Sequence, residues 1–124
     1  MQKILGLLLG ATALLSLAYA NDNIGWTWEY KPFKGSYLIY SGELGEQEAP
    51  TQNDRKLAVE VKGQLARDMF DSMSPDFKPT CSNEKGDRDR RKGNLYCTYH
   101  FGEEYRCFIG LNLRTGKSIG AASC

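Results

Sequence analysis

Thr51–Met73 reads T-Q-N-D-R-K-L-A-V-E-V-K-G-Q-L-A-R-D-M-F-D-S-M, and the way this stretch folds decides the architecture of the chain. Leu57, Ala58, Val61, Leu65, Met69, Phe70 and Met73 recur at three- and four-residue steps, the spacing that lays side chains along one stripe of a helix. Lys56, Glu60, Lys62, Arg67, Asp68 and Asp71 mostly fall elsewhere. Thr51 can cap the N-terminus, and Asp54 sits where a carboxylate meets the positive end of the helix dipole. Gly63 weakens the middle by about 1 kcal/mol relative to alanine. Ser74-Pro75 ends the element, because the residue before proline is driven out of the helical region. The expectation is one amphipathic helix over residues 51–73.

Such a stripe needs an apolar face to meet it, and the flanking sequence supplies strands. Gly35-Ser36-Tyr37-Leu38-Ile39-Tyr40 is rich in aromatic and β-branched types and reads as a strand. Ser41 to Pro50 reads as a polar loop. From Asn94 onward the chain reads as a three-strand meander: Leu95–Tyr99, then Tyr105–Leu111 after a turn at Phe101-Gly102-Glu103, then Ser118–Cys124 after a turn at Arg114-Thr115-Gly116-Lys117. The fold class is therefore α+β, one amphipathic helix packed on a small antiparallel sheet of four or five strands.

Before this domain stand two further segments. Residues 1–20 have the three parts of a cleavable secretory signal: Lys3, the apolar run Ile4–Leu17, and Ala18-Tyr19-Ala20 with small residues where a signal peptidase reads. The run is short of the roughly 20 residues that span a bilayer, so no membrane anchor is expected after cleavage. Residues 21–124 are expected to form a single domain. Its first segment is aromatic, with Ile24, Trp26 and Trp28 alternating as in a half-buried strand and Tyr30 and Phe33 close behind.

Charge and cysteine usage narrow the function classes. Without Lys3 the 16 Lys and Arg become 15, against 15 Asp and Glu, a balance that creates no field for nucleic acid or an anionic membrane. All four cysteines, Cys81, Cys97, Cys107 and Cys124, lie in the last 44 residues. An even count in a short exported chain points to two disulfides. The intervening 15, 9 and 16 residues suit neither a zinc site nor a C-x-x-C redox pair. Folding the first C-terminal hairpin about Gly102 puts Cys97 opposite Cys107, and folding the second about Thr115-Gly116 puts Cys107 opposite Cys124. Both partners of Cys107 stay open; the favoured pattern is Cys81–Cys97 with Cys107–Cys124, which would tie down the intervening charged loop.

That loop, Glu84–Lys92 (E-K-G-D-R-D-R-R-K), carries five basic and three acidic groups in nine residues. Arg88, Arg90, Arg91 and Lys92 are its candidate partner-binding residues, suited to the carboxylate-rich cleft of a hydrolase, with Glu43 and Glu46 second. Catalytic groups are not nominated. His100 is the only histidine, at a hairpin edge without a nucleophile beside it. Gly116-Lys117-Ser118 lacks the rest of a P-loop, having Leu111 where glycine is needed. Glu103 and Glu104 are adjacent, so on a strand they point to opposite faces. No metal and no cofactor is expected.

Lys92-Gly93-Asn94-Leu95-Tyr96-Cys97-Thr98-Tyr99, Cys107-Phe108-Ile109-Gly110-Leu111 and Arg114-Thr115-Gly116-Lys117-Ser118-Ile119 before Cys124 resemble small, uncharacterised four-cysteine proteins exported by Gram-negative bacteria, over roughly residues 36–124. The format of signal, small domain and disulfides is also similar to that of periplasmic lysozyme inhibitors and toxin-immunity proteins. The Ser-Gly-x-x-Tyr motif of the c-type lysozyme inhibitors is not matched: Ser41-Gly42 is followed by Glu43-Leu44-Gly45. The resulting expectation is a periplasmic or secreted, non-catalytic binding protein, an inhibitor or immunity protein acting on a protein partner in the periplasm. The alternative is a small-ligand carrier or enzyme whose site lies at Trp26, Trp28 and Tyr30.

Overall fold

The computed structural model describes residues 25–124. The segment read as a signal, and Ile24, lie outside the described residues. The chain divides into two units, Met1–Lys31 and Pro32–Cys124. Within the first, residues 25–31 form no strand, correcting the alternation read there. The Trp26 and Trp28 rings meet edge to face with centroids 4.5 Å apart.

The second unit is α+β. Its strands are β1 (Lys34–Glu43), β2 (Glu46–Glu48), β3 (Lys56–Lys62), β4 (Arg88–Lys92), β5 (Leu95–Tyr99), β6 (Tyr105–Asn112) and β7 (Ser118–Ile119), with one helix, α1 (Gly63–Ser72). The sheet runs β2-β1-β3-β6-β5-β4, with β7 also on β6, and every pairing is antiparallel. Among the described residues no helix is long and apolar enough to cross a membrane.

The stretch that opened the sequence reading splits in two. Lys56–Lys62 is the strand between β1 and β6, not helix. Leu57, Val59 and Val61 also satisfy the two-residue period of a strand, and β-branched Val59 and Val61 favour it. Two neighbours then satisfy backbone groups that an isolated helix would have bonded internally. Gly63, at φ +66°, turns the chain from strand into helix where a side chain would be strained. Thr51 and Asp54 do form a cap-like pair, Asp54 N to Thr51 Oγ1 at 3.0 Å, but it closes a turn. Asp54 then accepts from Gly42 N at 2.9 Å and pairs with Lys56 at 2.9 Å, so it ties β1 to the entry of β3.

Register explains the core. Val61, Cys107 and Cys97 stand directly across one another on β3, β6 and β5. Ala66, Phe70 and Met73 of α1 and its C-terminal cap close over them, and all six are buried. Burying Phe70 fully is worth about 2–3 kcal/mol. Val59, Met69, Leu95, Tyr99, Tyr105 and Ile109 pack around this cluster.

The disulfides are Cys97–Cys107 and Cys81–Cys124, which overturns the favoured pairing. The first hairpin has the expected register, and its opposed cysteines have Cα atoms 4.0 Å apart. The second does not. The Asn112 side chain accepts from the amides of Arg114 and Thr115 at 2.9 and 3.3 Å, which moves the turn back one residue and pairs Gly110 with Ile119. The strand ends there, and Cys124 reaches Cys81 instead. The two disulfides fit an oxidising, extracellular environment.

Candidate functional site

The charged run is not a solvated loop. Its last five residues form β4, an edge strand paired to β5, and a strand sends alternate side chains to opposite faces. Arg88 and Arg90 share the face that carries α1. Arg88 Nε and Nη2 donate to Asp76 Oδ2 and Oδ1, both at 2.9 Å, and Arg90 Nε donates to Asp76 Oδ1 at 2.8 Å. These hydrogen bonds hold the Asp76 carboxyl down at about 2. Arg90 Nη1 also donates to the Phe70 carbonyl at 2.7 Å, which accepts the amide of the capping residue Met73 at 3.1 Å as well. Both arginines are structural ties between the edge strand and the helix end.

Arg91 and Lys92 have different surroundings. Arg91 is on the other face and is exposed. Its guanidinium lies 4.9 Å from the Phe77 ring centroid and 4.8 Å from that of Tyr96. Its Nη2 approaches Cys124 Sγ at 2.8 Å and Cys81 Sγ at 3.4 Å. Tyr96 OH donates to Cys81 Sγ at 3.3 Å. A disulfide and two rings therefore hold an exposed cation in one orientation. Lys92 follows it, exposed, at the end of the strand. Beneath them Asp89, 2 % exposed, accepts from Cys81 N and Thr98 Oγ1 at 2.8 Å each, fixing the segment that carries the disulfide to the sheet.

The polar clusters are satisfied internally. Asp87 Oδ2 lies 2.8 Å from His100 Nδ1, and Ser82 Oγ donates to the same oxygen at 2.7 Å, while Phe101 N donates to Oδ1 at 2.9 Å. The Ser82 hydroxyl, then the Phe101 amide, then His100 bring the Asp87 carboxyl to about 2. The serine donates to the carboxylate rather than to the imidazole, so the nucleophile–base link of a hydrolytic triad is not made. The cluster joins the loop before β4 to the β5–β6 turn. Gly116-Lys117-Ser118 is a hairpin: Gly116 N donates to Asn112 O at 2.7 Å, and a strand follows. Among the described residues no three His, Cys, Asp or Glu side chains converge on a metal position.

At the opposite side of the sheet is a feature that sequence reasoning did not single out. Phe33, Tyr37 and Leu38 are 55, 73 and 50 % exposed. Beside them Phe33, Gly35, Ser36, Tyr37, Leu57 and Val59 line an open apolar groove of about 270 Å³. The available signal was the stretch Gly35–Tyr40, which contains no charge and is apolar on both faces. Trp26, Trp28 and Tyr30, of the first unit, are exposed at 64, 88 and 103 %. Comparison with protein-family models, curated proteins and solved structures gives no match to this chain.

Proposed function

We propose that the chain is an exported, non-catalytic binding protein that engages a protein partner in the periplasm, an inhibitor or immunity protein directed at a cell-wall or delivered enzyme. The observation that carries this reading is the exposed Arg91–Lys92 end of β4, preorganised by the Cys81–Cys124 bridge and by Phe77 and Tyr96. An arginine already held in place loses little entropy on binding, and arginine is among the side chains that dominate interface energetics. Of the four basic residues of β4, Arg91 and Lys92 are the contacts; Arg88 and Arg90 fix the strand to the helix end through Asp76. A carboxylate-lined cleft is the complementary surface.

The test is capture from the extracytoplasmic fraction of cells that export the protein, with mass analysis of both proteins and small molecules. A stoichiometric protein partner, lost with Arg91→Ala/Lys92→Ala, upholds the reading. Retention of the same partner by that variant overturns the assignment of Arg91 and Lys92. The exposed Trp26–Trp28 pair favours the second reading, a platform for a small ligand. A co-purifying metabolite in place of a protein selects it.

A further inference from the structure

The two edges of the sheet are built differently. β4 places four basic residues and one acidic residue along its length, and Phe77 bridges to Asp89, so that edge is guarded against strand pairing by charge and cover. β1 has no such protection. Lys34–Tyr40 pairs with β3 along one side, and among the described residues no strand or backbone hydrogen bond occupies the other. The unpaired stretch is bounded. Pro32, which has no N–H to donate, precedes it, and β2 takes up Ser41–Glu43 after it. Alternate backbone N–H and C=O groups between these limits point outward without partners among the described residues, in a segment whose only charge is Lys34 at its first position.

We propose that this edge pairs antiparallel with the same edge of a second copy, about a two-fold axis at Tyr37. The free stretch is centred on Tyr37, so full overlap sets the register: Tyr37 meets the second copy's Tyr37, Gly35 meets the second copy's Ile39, and Ser36 meets the second copy's Leu38. Directly opposed residues of an antiparallel pair share a face. The place of a Gly35 side chain is already taken by the Phe33 ring and the Glu60 carbonyl oxygen, so the opposed Ile39 of the second copy packs on the exposed Phe33 ring at the rim of the apolar groove. Ser36, with a short side chain, stands opposite the half-exposed Leu38 of the other copy. The two Lys34 side chains end up at opposite ends of the ladder, about 20 Å apart at some 3.4 Å per residue. Parallel pairing would bring them together. The dimer is one continuous sheet with a β4 edge at each far end, so both Arg91–Lys92 surfaces stay open.

The experiment is sedimentation of the exported protein over a range of concentration, alone and as Tyr37 variants. Wild type is expected to dimerise. Tyr37→Lys, which sets like charges face to face on the axis, should weaken dimerisation by at least about tenfold. Mixing Tyr37→Lys with Tyr37→Glu should restore it as a heterodimer, because only this register brings residue 37 of one copy against residue 37 of the other. A monomeric wild type at every concentration overturns the proposal, as does a dimer indifferent to Tyr37→Lys. A wild-type monomer that loses a captured partner on Tyr37→Lys assigns the edge to a foreign strand and likewise overturns it. Loss of capture with Arg91→Ala/Lys92→Ala is read separately, so failure of the dimer and failure of the binding reading are distinct results.

Discussion

Arg90 and Phe70 are joined twice: the guanidinium lies 4.4 Å from the ring centroid, and its Nη1 donates to the Phe70 carbonyl at 2.7 Å. One side chain thus covers a fully buried core residue and adds a second donor, beside the Met73 amide, at the end of α1. Arg90→Ala should destabilise by about 2–3 kcal/mol, since the charge-assisted hydrogen bonds to Asp76 and to the Phe70 carbonyl are lost together with the packing over the Phe70 ring. Lys92→Ala should stay within about 0.5 kcal/mol of wild type. Denaturant unfolding distinguishes them, and equal effects would refute the structural role given to Arg90. It follows that alanine at all four basic positions is not neutral for stability, against the expectation for a free loop.

Acid should unfold the protein through Asp76 and Asp87. Both carboxyls sit at about 2 in the folded chain, below the ordinary 3.8. A depressed folded value means the contribution is present above the unfolded pKa and is lost as pH falls through 4 toward 2. The denaturant midpoint should therefore drop between about pH 5 and pH 2, and Asp76→Asn should flatten part of that slope. A midpoint constant over this interval would contradict the ion-pair geometry.

Disulfide mapping has a clean readout, because Lys85, Lys92, Arg106, Arg114 and Lys117 put each cysteine on its own tryptic peptide. The expected linked pairs join Cys97 to Cys107 and Cys81 to Cys124. Any Cys81–Cys97 product would contradict the fold. Loss of the longer bridge should cost about 4 kcal/mol and loss of the shorter about 3, by loop-closure entropy. Removing the shorter also disturbs the core that both its cysteines help to fill.

Gly110 is a packing constraint. A Cβ there would stand 2.5 Å from the Ile119 carbonyl oxygen, and a backbone oxygen in a hairpin cannot swing aside as a side chain could. Gly110→Ala should cost about 1–3 kcal/mol and loosen β7, visible as faster amide exchange at Ile119.

The readable parts of the sequence were those decided locally. The Cys97–Cys107 register follows from one tight hairpin, and the fold class follows from strands flanking one apolar stripe. What failed depended on distant residues. Lys56–Lys62 fits both helical and strand periods, and only β1 and β6 on either side resolve it. The basic run resembles a loop because Asp76, which holds Arg88 and Arg90, is 12 and 14 residues away. The Cys124 partner was misread because a single side chain, Asn112, shifts a turn. At the candidate site the residue types were legible, but not the alternation that separates Arg88 and Arg90 from Arg91, nor the end-of-strand position that leaves Lys92 exposed.

Calorimetric titration of the captured partner into wild type, Arg91→Ala/Lys92→Ala and Lys117→Ala tests the binding surface most directly. The expected result is at least about thirtyfold weaker affinity for the double variant, as for an interface hot spot worth 2 kcal/mol, with Lys117→Ala unchanged. Equal affinity for all three proteins would contradict the assignment of the β4 edge as the surface through which this protein acts.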